Sequence, residues 1–267
     1  MAGAKRHHLS GYAWHIAHRC HKREFLLKFG RDRGRWLQWL FQAKKRYHPC
    51  IPSYLVTSNH IHPLVMDKGE RETIPGSMQL LAGRKGQEYN RRKKRKGAFR
   101  EDRYHATAAE TNEHLARCVV YMDMNMVRAG AVAHPSEWKE SGYNEIQSPR
   151  YSYGLIDRQC LMDLLNIPTL EILRSSHRAR VEESLDGNTN SRDSIWTRSI
   201  AVGSEAFVQG MKNQLQIRAK GRRISEGEDG YCLREPQSCH TGFEGEKGSF
   251  GSHNLYFWNI YPEDPEG

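Results

Sequence analysis

His60 and His62 flank a single apolar residue in the run Ser58-Asn59-His60-Ile61-His62. Ile51 to Thr57 before them and Leu64-Val65-Met66 after them read as β-strand, broken only by Ser58-Asn59. Residues i and i+2 of a strand share a face. The two imidazoles therefore stand side by side while Ile61 turns the other way. Paired imidazoles on a rigid strand are two legs of a divalent-metal site. The plainer alternative is the polar face of a half-exposed strand.

A second cluster lies further along, between Glu113 and Gly130. Leu115, Cys118, Val119, Met122 and Met126 recur at three- and four-residue spacing, the period of an amphipathic helix. Thr111 is placed to cap its start and Gly130 to stop its end. Arg117, Tyr121, Asn125 and Arg128 fall on one stripe, because residues three and four apart stack along a helix. The stripe offers a phenol, an amide oxygen one turn on, and two guanidiniums. A tyrosine hydroxyl attacks phosphate poorly without help. A divalent ion nearby polarises the phosphate and stabilises the leaving oxygen. The alternative is a surface tyrosine on an amphipathic helix.

Taken together, His-Ile-His on a strand and a helical Tyr121, Asn125, Arg128-Ala129-Gly130 resemble the single-tyrosine HUH transposases. The similarity is greatest to the REP-associated tyrosine transposases, relatives of the insertion-sequence-200 enzymes. It takes in Thr57 to His62, Arg103-Tyr104-His105-Ala106, Tyr121 to Gly130 and His134-Pro135-Ser136-Glu137-Trp138. The resemblance implies that Tyr121 is the nucleophile, that His60 and His62 are metal ligands, and that Asn125 is the third. It implies Mg²⁺ or Mn²⁺ as the ion. It implies cleavage of single-stranded or hairpin DNA, leaving a 5′-phosphotyrosine link and a free 3′-hydroxyl. No nucleotide cofactor is then needed, because the energy of the broken bond stays in the link. Monomers and homodimers both occur in such a family, and this helix does not decide between them. Three positions depart from the family's pattern: Pro63 follows His62, Met126 stands where proline is common, and Arg100 stands where an aromatic is expected. Proline gives no ladder donor and is found at edges or bulges, so Pro63 predicts a distorted strand beside the histidines.

Composition agrees with a nucleic-acid partner. The formal net charge is +10. Residues 1–103 hold 24 Lys and Arg against 8 Asp and Glu, and the remainder holds 17 against 23. The basic half is the half with the histidines. Such a surface binds phosphate backbones by counterion release, largely without sequence preference. The densest tract is Arg91-Arg92-Lys93-Lys94-Arg95-Lys96, read as a phosphate clamp or as a solvated charge run. With Arg117 and Arg128 it makes up the expected DNA contacts. Tyr12, Trp14, Tyr89, Phe99 and Tyr104 are aromatics of this half that could stack on unpaired bases.

The elements that must position these residues follow the same reading. Residues 11–18 alternate like a strand, and 32–47 read as a helix packed by Trp36, Trp39, Leu40 and Ala43. Residues 51–57 and 60–66 form a hairpin, 73–94 a helix with breaks possible at its glycines, and 103–107 a short strand. With the Tyr121 helix this is the ferredoxin-like order. The expectation is an α+β fold: an antiparallel sheet with helices on one face, its other face open to DNA, and a small helical C-terminal extension. The expected organisation is a catalytic domain over 1–133, a connection over 134–150, a helical accessory region over 151–218 and a largely disordered tail over 219–267. A late apolar cluster, Leu255 to Trp258, is placed to dock back onto the protein.

The six cysteines are scattered, which argues against a disulfide framework or structural zinc. A zinc site from His15, His18, Cys20 and His21 is disfavoured because strand alternation separates them. No signal peptide or membrane-spanning run is visible, which places the chain in the cytoplasm without a membrane partner. Two further readings remain: a non-catalytic relative that binds DNA hairpins, and an RNA-binding sheet with exposed aromatics.

Overall fold

The computed structural model of the protein describes residues 8–100, 104–148, 154–187, 195–227 and 230–234. Strand β1 (Ala13–Arg19) leads through helix α1 (Gly30–Tyr47) to the hairpin β2 (Cys50–Val56) and β3 (His60–Met66). Helix α2 (Thr73–Arg92) and strand β4 (His105–Ala109) follow, then α3 (Glu113–Asp123) and the single turn α4 (Asn125–Arg128). The rest comprises α5 (Gly142–Gln147), α6 (Arg158–Leu165), α7 (Leu170–Asp186), α8 (Ile195–Arg198), β5 (Ser199–Gly203), α9 (Glu205–Leu215), β6 (Arg223–Gly227) and β7 (Gly230–Arg234).

The strands form one sheet in the order β2-β3-β1-β4-β5-β7-β6. The first four are antiparallel neighbours in the expected ferredoxin-like order. The remaining three correct the expectation. The extension is not only helical: β5 joins β4 as a parallel partner, and β6 and β7 complete the sheet as an antiparallel hairpin. Residues 223–227 and 230–234, expected to be disordered, are thus ordered strand. The remainder of the expected tail, with Leu255 to Trp258, lies outside the described residues. The 134–150 segment is also more than a connection. Trp138 Nε1 donates to the Val56 carbonyl at 2.8 Å, and Val56 N–H donates to the Glu140 carbonyl at 3.0 Å. Both contacts cover the open edge of β2, which protects an otherwise unpaired ladder.

Among the described residues both faces of strands β1–β4 are covered by helices, which corrects the expected open DNA platform. Register puts His15 opposite both Leu64 and Thr107, so those residues share a face with His60 and His62. That face is covered by α3 and α8, whose Tyr121 and Trp196 pack near His15. The opposite face carries Trp14 and Ile16, both buried, and Cys20, which lies within the electrostatic reach of Lys85 on α2. An RNA platform of exposed sheet aromatics is excluded for the same reason. Helices α1 and α2 pack closely where Gly76 meets the Tyr47 ring, which a Cβ would approach to 2.7 Å. Between them Lys85 and Asp32, both nearly inaccessible, form an ion pair at 3.0 Å.

Pro63 does not distort β3. The strand runs unbroken from His60 to Met66. The pairing with β1 keeps one register on both sides of it, His15 with Leu64 and His18 with Ile61. Only the intervening pairs are missing from the ladder, as expected for a residue without an N–H. The irregularity in the hairpin lies instead in β2, between Cys50 and Ser53, where Pro52 sits.

Candidate functional site

The Thr57-to-His60 turn sets the site's first histidine. Thr57 N–H donates to the His60 carbonyl at 2.9 Å, and its hydroxyl accepts from His60 N–H at 2.9 Å. Asn59 Nδ2 donates to the Arg23 carbonyl at 3.3 Å, which orients the amide so that Oδ1 faces His60 Nδ1 at 2.6 Å. An amide oxygen only accepts. His60 therefore carries its proton on Nδ1 and keeps its lone pair on Nε2.

His62 is set in the same way by a residue that sequence reasoning did not assign to the site. His15 Nδ1 faces the Trp196 carbonyl at 2.9 Å, so it must be the protonated nitrogen. Its Nε2 lies 3.1 Å from His62 Nδ1. Burial pushes the His15 pKa down to about 4, against the weaker opposing pull of the Trp196 carbonyl, and the ring is neutral at pH 7. A neutral imidazole with a proton on Nδ1 offers only an acceptor at Nε2. His62 must then donate from Nδ1, and its own lone pair also falls on Nε2. The His15 and His62 rings stack with centroids 5.2 Å apart, and His60 and His62 lie 5.9 Å apart. Each imidazole, with its Nδ1 held by a neighbour, turns Nε2 outward as the donor that a divalent transition-type ion accepts.

Tyr121 arrives on α3 over the same face. Its ring lies 6.2 Å from His15 and 6.4 Å from Trp196, centroid to centroid. Arg128 stacks on it with the guanidinium carbon 4.5 Å from the ring centre, and also donates to the Tyr121 carbonyl. Tyr121 is 7 % exposed, so the reading of a surface tyrosine is excluded. Asn112 rather than Thr111 flanks the start of α3, and Met124 separates α3 from α4. Gly130, at φ +66°, ends α4 as expected.

The other nominated residues divide. Asn125 opens α4, but the hydrogen bonds and ring contacts among the described residues join it to neither histidine. Arg117 pairs with Glu113 at 3.2 Å. In the basic tract Arg91, Lys93, Lys94 and Lys96 are exposed. Arg92 is drawn to Asp32, and Arg95 lies 3.5 Å from Glu24. Trp14 and Phe99 are buried, which removes them from the expected stacking surface, and Tyr12, Tyr89 and Tyr104 are half-buried. His15 and His18 fall on opposite faces of β1, so no zinc cluster forms there. No group of three or more His, Cys, Asp or Glu suited to a metal occurs among the described residues. No helix among them is long and apolar enough to cross a membrane.

The extension holds the tyrosine helix from behind. His177 Nε2 meets Asp123 Oδ2 at 2.8 Å, and Gln147 Nε2 donates to His177 Nδ1 at 3.0 Å. Burial raises the Asp123 pKa, and the His177 hydrogen bond opposes that rise. Arg180 on α7 reaches both carboxylate oxygens of Glu113, at 2.8 and 2.6 Å.

No protein-family model matches the chain, and no curated protein matches it. Among solved structures, the chain is similar to a REP-associated tyrosine transposase bound to a REP hairpin, with a TM-score of 0.46 and 16 % identity over 58 % of this chain and 90 % of that one.

Proposed function

We propose that the protein is a metal-dependent single-strand DNA transesterase of the tyrosine transposase type. The observation that carries this reading is Tyr121 packed against His15 over the sheet face that bears His60 and His62, with both imidazoles oriented by their neighbours. The sequence resemblance and the exposed cations of the 91–96 tract support it. The Tyr121 hydroxyl attacks the scissile phosphorus in line. A Tyr–O–P bond forms, the P–O3′ bond breaks, and the departing 3′-oxygen takes up a proton. His60 and His62 would hold Mg²⁺ or Mn²⁺, with Asn125 as the third donor. That ion, when bound, neutralises charge on the phosphate oxygens. Arg128 lies over the Tyr121 ring, where its charge favours the developing phenolate.

The test uses labelled DNA hairpins, Mn²⁺ with and without chelator, and a search for a denaturant-resistant protein–DNA band. The expected result is a metal-dependent adduct that carries the 5′-phosphate fragment. Tyr121→Phe should abolish the adduct and the cleavage while keeping DNA affinity. Cleavage by that variant at the wild-type rate would refute the assignment. The burial of Tyr121 favours a second reading, DNA-hairpin binding without cleavage. Tight metal-independent binding with no adduct selects it.

A further inference from the structure

Phe25 and Phe29 are 59 % and 57 % exposed, which makes them the most exposed aromatic rings among the described residues. Burying a phenylalanine is worth about 1.5–3 kcal/mol, so folding leaves both rings unused. They sit in the loop between β1 and α1, among the exposed cations Lys22, Arg23 and Lys28. That loop is tied at two places. On one side Leu27 N–H donates to the Ser58 carbonyl at 2.9 Å and Asn59 Nδ2 to the Arg23 carbonyl at 3.3 Å. Those bonds fix it to the turn that presents His60. On the other side Lys93 stands 5.7 Å from the centre of the Phe29 ring, and Arg95 lies 3.5 Å from Glu24. The loop thus bridges the basic tract and the His60 turn, and it carries aromatic rings between cations.

From this placement we infer that Phe25 and Phe29 form a stacking platform for unpaired DNA bases, between the basic tract and His60. The inference rests on the proposed action on single-stranded DNA and names the surface that receives the strand. Aromatic rings beside cations are how sequence-tolerant single-strand binders work: the rings stack on base faces while the cations follow the backbone.

Fluorescence anisotropy with a short unstructured oligodeoxynucleotide tests it on the full chain. Phe25→Ala and Phe29→Ala should each weaken binding about 5- to 100-fold. Each should leave the thermal midpoint and the slope of log K against log salt unchanged, because no phosphate contact is lost. On an oligonucleotide with abasic sites the difference from wild type should vanish. Wild-type affinity in both variants overturns the platform and leaves the DNA reading intact. A wild-type protein that binds no strand overturns both. A variant that instead dissociates a dimer in sedimentation assigns the rings to a second copy of the chain and overturns the platform.

Discussion

His15 governs which nitrogen of His62 can meet a ligand, without itself touching that ligand. Its Nδ1–H is committed to the Trp196 carbonyl, so only its Nε2 remains to accept from His62. Replacement by phenylalanine keeps a flat ring at this buried position but removes the acceptor. His62 is then free to take the other tautomer. Loss of a partner that orients a histidine ligand costs about 10- to 100-fold in metal affinity. His15→Phe should show that loss in a Mn²⁺ titration by calorimetry, and His15→Gln, which keeps both a donor and an acceptor, should recover part of it. Equal affinity for Phe and Gln would mean that His15 only fills space. His60→Ala serves as the control, because loss there tests the metal site itself. Imidazole donors favour Mn²⁺ over Mg²⁺, so Mn²⁺ should bind more tightly. Pro63→Leu should leave affinity unchanged, since β3 already holds its register on both sides of the proline. The shared strand face of His60 and His62 was legible from spacing alone. His15 was not, because its partner lies forty-seven positions away and only register brings the two together.

At the level of elements, α7 acts as a brace for α3. The Asp123 carboxyl group is buried, and His177 Nε2 is its hydrogen-bond partner. Removing the donor leaves a buried carboxyl oxygen without its hydrogen bond, which costs about 1–3 kcal/mol. His177→Ala should therefore lower the urea midpoint, and Asp123→Asn combined with His177→Ala should recover part of the loss. If the double variant is as unstable as the single, the unpaired carboxyl group is not the cause. The outer contact behaves differently. Hydrogen bonds from Arg180 hold the Glu113 pKa down to about 2. A carboxylate lowered in the folded state stabilises above its unfolded value, near 4.3, and that contribution is lost as pH falls through about 2. The pair is well exposed, so the effect is under about 1 kcal/mol. An acid titration of wild type against Glu113→Gln should converge at the bottom of that window. The helices themselves were legible as periodic apolar stripes, α1, α2, α6, α7 and α9 among them. Their faces were not. Nothing local in Asp123 marks it as the anchor of a helix that follows a chain connection, because a buried acid and a solvated acid look alike in sequence.

Over the whole molecule, the extension and the histidine-bearing half are parts of one sheet. The 134–150 segment, with His134-Pro135, Ser141-Gly142 and Ser148-Pro149, reads as a connection between domains. Contacts nevertheless join the two sides. β5 pairs with β4, Ala108 against Ala201 and Ala109 against Val202, and Thr107 Oγ1 reaches the Ser199 carbonyl at 2.6 Å. Parallel pairing between distant segments leaves no local sequence signal, because each strand reads only as a short apolar run. Cys50 on β2 and Cys160 on α6 are bonded as well, across 110 residues, where scattered cysteines gave no reason to expect a bridge. A shared sheet should unfold as a unit. Amides of Ile200 and Val202 in β5 should therefore exchange with the same free energy as those of Trp14 and Ile16 in β1. Exchange at β5 several kcal/mol easier than at β1 would restore the picture of a separate accessory region. Reduction of Cys50–Cys160 frees a long loop in the unfolded chain and should lower stability by about 4 kcal/mol. Because the bridge ties α6 to β2 within the same sheet assembly, the loss should appear equally at β1 and β5. A loss confined to one of them would show that the two halves unfold apart.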